Sequence, residues 1–71
     1  MNYFITFIRQ DEAEWCGLVT TDEEYAYKVF EDLCPPPNWN MELRCTEEYI
    51  DIYSAGDVLD YNVLRYDHSQ F

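Results

Sequence analysis

The chain opens on a run that is apolar, aromatic and β-branched from residue 3 to residue 9, Tyr3-Phe4-Ile5-Thr6-Phe7-Ile8-Arg9. In an extended chain Tyr3, Ile5 and Phe7 share one face, and Phe4 and Ile8 share the other. A strand apolar on both faces belongs in the middle of a sheet. Gln10 to Glu14 is polar and acidic and reads as a turn. Trp15 to Val19 reads as a short second strand closing a hairpin, with Gly17 as an unfavourable residue inside it. The period then changes from two to that of a helix. Ala26, Val29, Phe30 and Leu33 fall on one helical face. Thr21-Asp22-Glu23-Glu24 matches a capping box, with Thr21 as N-cap and Glu24 three residues later. Pro35-Pro36-Pro37 ends the helix.

Alternation returns in the second half. Met41, Leu43 and Cys45 alternate with Glu42, Arg44 and Thr46, and Ile50 and Ile52 alternate with Tyr49, Asp51 and Tyr53. Both patterns predict strands. Ala55-Gly56-Asp57 marks a turn. Val58 to Tyr66 predicts a last strand with Leu59, Tyr61 and Val63 on one face, followed by a loose tail from Asp67 to Phe71. No repeat, low-complexity segment or linker divides the chain. The expected fold is α+β, a small antiparallel β-sheet of four to five strands with one α-helix (about 21–34) packed on one face. It forms a single domain, 1–71.

Composition narrows the class. With 71 residues, of which 48% are hydrophobic and 18% aromatic, the chain is too apolar for a disordered acidic tail. A domain of this size buries only about 60% of its unfolded surface, so its core is thin.

Charge changes the picture most. Fifteen Asp and Glu face four Lys and Arg, for a formal net charge of −11. Nucleic-acid binding needs basic patches, so phosphate backbones repel such a chain. Anionic membranes repel it for the same reason. A basic protein surface attracts it and associates with it faster. The N-terminal residues lack the basic start and small-residue cleavage site of a signal peptide, and no apolar run approaches the roughly 18 residues of a membrane span. Cys16, Cys34 and Cys45 are an odd number without close pairing, which fits reduced thiols in a cytosol. A cytoplasmic location follows as the expectation.

The residues for catalysis are scarce. His68 is the only histidine and lies near the C-terminus, where a triad with Ser54, Ser69 or a cysteine would lack a rigid frame. The cysteines lack the paired spacing of a zinc site and read as small core hydrophobes. Asp57-x-x-Asp60 and Asp11-Glu12-x-Glu14 lack the spacing and glycine of a calcium loop. With two glycines, Gly17 and Gly56, there is no Gly-rich phosphate loop. The expectation is no enzyme activity, no cofactor and no metal.

The carboxylates group at Asp11, Glu12 and Glu14; at Asp22, Glu23 and Glu24; at Glu31 and Asp32; at Glu47, Glu48 and Asp51; and at Asp57 and Asp60. Solubility alone needs a net charge of only about 2 to 8 in a small domain, and the excess destabilises the compact state. Glu31 and Asp32 fall in the last turn of the expected helix, where carboxylates oppose the helix dipole; Lys28 offsets part of this. Residues set against local stability point to function. Same-face strand residues lie roughly 6.7 Å apart and helical neighbours about 5–6 Å apart, separations comparable to those of a phosphate array. The candidate contact set is Asp22, Glu23, Glu24, Glu31, Asp32, Glu47, Glu48 and Asp51. Tyr49 and Tyr53, expected on one strand face with Glu47 and Asp51, are candidate aromatic anchors within an acidic rim. Arg9, Lys28, Arg44 and Arg65 are expected to brace the acidic faces.

In size, charge and α+β character, with the acid clusters Asp22-Glu23-Glu24, Glu31-Asp32 and Glu47-Glu48 among tyrosines, the chain resembles the small acidic proteins that phages and mobile elements direct against host defences, the DNA-mimic anti-CRISPR and anti-restriction proteins. The resemblance implies occlusion of a DNA-binding channel in the host bacterial cytoplasm. The partner would be a basic nucleic-acid-binding complex, such as a CRISPR effector or a nuclease, met by a monomer or weak dimer. Two other classes share the electrostatics: an immunity protein or antitoxin that plugs a basic nuclease toxin, and a non-inhibitory acidic adaptor domain.

Overall fold

The computed structural model describes residues 1–68. Its elements run β1 (Asn2–Arg9), β2 (Glu14–Thr20), α1 (Glu23–Asp32), β3 (Trp39–Thr46), a short 3₁₀ turn (Ala55–Asp57) and β4 (Asn62–His68). The four strands form one antiparallel sheet in the order β2-β1-β3-β4. The doubly apolar β1 is therefore central, with β2 returning beside it as a hairpin.

The helix covers one face of the sheet. Ala26 and Phe30 pack with Ile5, Met41 and Leu43, and Tyr3, Phe7, Leu18 and Leu64 close around them. Residues 47–61, between β3 and β4, cover the other face. Ile50, Ala55 and Val58 pack onto Phe4, with Cys16, Val19 and Tyr61 beside them. Both faces of β1 are thus buried by different means.

This excursion corrects the expected strand over 49–53. Asp51 turns the chain there: its Oδ1 accepts from the backbone N–H groups of Tyr53 and Ser54, both at 2.9 Å, and Ser54 Oγ accepts from the N–H of Asp51 at 3.0 Å. The alternation is broken, so Ile50 is buried while Ile52 is exposed. Tyr49 and Tyr53 therefore do not share a strand face with Glu47 and Asp51. The last strand also begins later than expected, at Asn62, and takes in Asp67 and His68, which the sequence assigns to a loose tail. The remainder of that tail, 69–71, lies outside the described residues.

The helix is shorter than 21–34. Its N-cap is Asp22 rather than Thr21, with Oδ1 accepting from the Tyr25 N–H at 3.0 Å. Asp caps as well as Thr, and this register puts Glu23 and Glu24 in the first turn, at the positive end of the dipole. At the other end Leu33 is already extended (ψ 148°), because Pro35 excludes helical geometry from Cys34. Pro36 to Trp39 closes a turn, with Asn38 at φ 71° and the Trp39 N–H bonded to the Pro36 carbonyl at 3.0 Å, as in a type II turn.

Each edge strand carries an irregularity. On β2 the pairing steps from Ile5–Leu18 to Thr6–Cys16, leaving Gly17 as the extra residue. On β4 it steps from Leu43–Arg65 to Arg44–Val63, leaving Leu64 as the extra one. A bulge resets side-chain parity, and here it lets Cys16 and Val19 face the excursion while Leu18 faces the helix. Bulged edges also resist pairing with another chain. A Cβ at position 17 would stand 2.7 Å from Phe7 Cε2, so only glycine fits under that ring. Gly17→Ala is expected to destabilise the fold by about 1–3 kcal/mol, read from the urea midpoint at unchanged slope. A midpoint equal to the parent's would remove this explanation of Gly17.

Candidate functional site

All the carboxylates but two are exposed; Glu42 and Asp67 are half-buried. The fold sorts the predicted set into three places. The C-terminal end of β2, the N-terminal end of β1 and the C-terminal end of β3 meet at one end of the sheet, through the pairs Tyr3–Thr20 and Asn2–Thr46. The helix starts there too, so Asp22, Glu23 and Glu24 lie at the same end of the sheet as Glu47 and Glu48. Tyr3 Oη donates to Glu23 Oε2 at 2.9 Å, and Asn2 Nδ2 donates to the Glu48 carbonyl at 2.7 Å. The Glu23 bond holds the Tyr3 hydroxyl above its ordinary pKa.

The same end gains Asp60, which is absent from the predicted set. Thr46 Oγ1 donates to the Asp60 carbonyl at 2.9 Å, and Glu47, Glu48 and Asp60 line an open cleft of about 630 Å³ with Met1, Thr46 and Asn62. Along the chain Asp60 is more than ten residues from Glu48. The antiparallel return of β4 onto β3 makes them neighbours, and no local pattern signals that.

Glu31 and Asp32 lie apart, at the far end of a ten-residue helix, about 15 Å away by helical rise. They do occupy its last turn, and no basic residue balances them there. Asp51 sits on the excursion, where its carboxylate is held by the turn; bonds from the Ser54 and Tyr53 backbone N–H groups keep its pKa below the ordinary value. Tyr49 and Tyr53 project from the same excursion and are 90% and 93% exposed.

Two of the four cations are consumed by carboxylates. Arg9 Nε donates to Asp11 Oδ1 at 2.8 Å at the hairpin tip, and its guanidinium lies over Trp15 and Trp39. Arg44 is buried under the excursion. It donates to Glu42 at 2.7 Å and to Glu14 at 3.2 Å, with the Tyr61 ring 4.3 Å from its guanidinium carbon. Burial alone would lower the Arg44 pKa; the two carboxylates outweigh it and raise the value. Arg65 lies over the Tyr27 ring instead. The expectation that arginines brace the acidic faces therefore holds for Arg9 and Arg44.

Hydrogen bonds from Arg9, and then from the Ala13 N–H, lower the Asp11 pKa from 3.8 to about 2. A depressed carboxylate contributes stability above its unfolded pKa and loses it as pH falls through its folded pKa. The Arg9–Asp11 contact is thus expected to persist from neutral pH down to about 2. A carboxyl NMR titration should place the Asp11 midpoint there, and Arg9→Gln should return it toward 3.8. A midpoint near 3.8 in the parent would show that Arg9 does not hold Asp11 in solution.

Glu12 also stands against local stability. It occupies the hairpin at φ 69°, a left-handed position that glycine or asparagine fills at lower cost.

The cysteines divide. Cys45 is buried and Cys16 half-buried, but Cys34 is exposed, which corrects its reading as a core residue: the early helix end turns it outward. Burial raises the Cys16 pKa. Among the described residues no group of three His, Cys, Asp or Glu is arranged to hold a metal. No buried side-chain nitrogen or oxygen among them lacks a hydrogen bond, and no helix among the described residues is long and apolar enough to cross a membrane.

No protein-family model matches the chain, and no curated protein or solved structure matches it.

Proposed function

We propose that this protein is an acidic inhibitor that mimics nucleic acid and occupies the basic DNA-binding groove of a host defence complex of the CRISPR effector class, in the host bacterial cytoplasm. The observation that carries this reading is the charge left free on the surface. Of the thirteen exposed carboxylates, Asp11 and Glu14 pair with Arg9 and Arg44, and eleven stand outside the ion pairs among the described residues.

The density of that charge supports the reading. The molecule is 35 Å long, about one turn of duplex. Its net charge of −11 over that length is about one charge per 3 Å. One DNA strand presents about one per 3.4 Å. A groove lined to neutralise phosphates therefore meets a comparable amount of negative charge per length, borne at separate places on a rigid support. No step of catalysis is needed, because occlusion is a matter of occupancy.

The test is an electrophoretic assay of DNA loading by purified CRISPR surveillance complexes. The protein should compete with DNA, and its inhibition should weaken steeply as salt rises from about 50 to 200 mM. Binding to such a complex alongside saturating DNA would exclude mimicry. Rescue of cells from a nuclease toxin, without any effect on DNA loading, would move the protein to the immunity class.

A further inference from the structure

Residues 47–61 combine two features that seldom coincide on a free surface. The segment carries five carboxylates (Glu47, Glu48, Asp51, Asp57 and Asp60) and no lysine or arginine. It also turns large apolar side chains into solvent: Tyr49, Tyr53 and Leu59 are 90%, 93% and 94% exposed, and Ile52 is exposed beside them.

This exposure is not that of a slack loop. Ile50, Ala55 and Val58 anchor the segment in the core against Phe4. The Asn2 bond to the Glu48 carbonyl and the Thr46 bond to the Asp60 carbonyl tie down its two ends. The Asp51 turn sets its middle, and Tyr61 closes it over Arg44. The exposed side chains thus stand on a backbone ordered before any partner arrives, which lowers the entropic cost of binding.

We infer that the excursion is the centre of the contact with the basic partner, and that the partner presents apolar sockets framed by lysine or arginine. The inference rests on the basic-partner reading above and adds the sockets to it. Charge complementarity selects the occupant. A second copy would bring five more carboxylates against these five. An anionic lipid surface is repelled in the same way. A cationic protein rim pairs with the carboxylates, and its sockets take the tyrosine and leucine side chains from water. Buried aromatic anchors inside a charged rim are the arrangement that concentrates binding energy.

The probes are two eight-residue peptides of equal charge, one alternating arginine and leucine and one alternating arginine and serine. Each is titrated into the ¹⁵N-labelled full chain at about 50 mM salt. The arginine–leucine peptide should bind about tenfold more tightly or better, with its shifts concentrated in residues 47–61. The variant Tyr49→Ser/Tyr53→Ser/Leu59→Ser should bring the two affinities together by weakening the arginine–leucine peptide more than the arginine–serine one. These side chains are exposed, so an unchanged melting temperature checks that the variant is folded. Equal affinities in the parent, or a preference that survives in the variant, would overturn the inference and leave the basic-partner reading standing. Failure of both peptides to bind would remove the basic-partner reading itself. Self-association of the parent that the variant abolishes would make a second copy the occupant and overturn the inference.

Discussion

Arg44→Ala is expected to lower the unfolding free energy by about 3 kcal/mol, the low end for breaking a buried pair, because the carboxylates left behind are half-buried and exposed. The whole fold, at about 0.05–0.15 kcal/mol per residue, commands only about 4–11 kcal/mol. The loss is a large share of that total, so the urea midpoint should fall far below the parent's. The size follows from where Arg44 sits. Its side chain is 5% exposed, Glu42 is 17% exposed and Glu14 is 37% exposed. The Glu42 contact lies in the drier setting and should matter more, so Glu42→Gln should cost more than Glu14→Gln, whose pairing is screened by solvent. Arg44 also supports Tyr61, and through it the return of the excursion onto the sheet. Replacing the group together, as Arg44→Met/Glu42→Met/Glu14→Gln, should recover most of the loss, because a packed apolar group needs no charge partner. Urea unfolding of the four variants tests the series. A loss below about 1 kcal/mol for Arg44→Ala would show that the pair is solvated in practice.

Arg44 also marks where the sequence stops being informative. Its place in the alternation Met41 to Thr46 put it opposite the helix-facing residues Leu43 and Cys45. On a sheet covered by a single helix that face would be solvent, and an arginine there would be unremarked. The contrary signal lay in β1. Phe4 is as apolar as Ile5, so both faces needed a cover, and one helix supplies only one. The second cover had to come from residues 47–61. Their alternation Tyr49 to Tyr53 imitates a strand, and the Asp51–Ser54 turn that breaks it uses residues found equally in strands' flanking loops.

The central strand, the hairpin, β3 and the helix were legible because each has a clear period. The helix ends were less so: Thr21 and Asp22 are both good caps, and only the geometry decides. The bulges at Gly17 and Leu64 were not legible, since each depends on a partner strand. The same holds for the site. Glu23 and Glu48 are far apart in sequence, and only the meeting of three strand ends joins them and adds Asp60. The separation of Glu31 and Asp32 from that end follows simply from helix length.

Charge reversal at the joined end is expected to have the largest effect on binding. Glu47→Lys/Glu48→Lys/Asp60→Lys should weaken inhibition of DNA loading about 100-fold or more at about 0.1 M salt, through slower association as well as lost contacts. The difference should shrink as salt screens it. Stability should move the other way. The three reversals take the formal charge from −11 to −5, relieving self-repulsion, so the melting temperature should hold or rise. This opposition separates a docking role from a structural one, since a residue needed for folding would lower both together. Glu31→Lys/Asp32→Lys is the matched comparison. It supplies the missing basic residues to the last turn of the helix and should stabilise by about 0.3–1 kcal/mol per site. If the end of the sheet bearing Glu23, Glu47, Glu48 and Asp60 is what enters the partner's groove, the helix-end pair should cost much less affinity per charge reversed. Equal loss per charge at both ends would mean that the partner reads the total charge and not its placement. That result would leave an acidic protein without a docking face at this end, whatever its stability did.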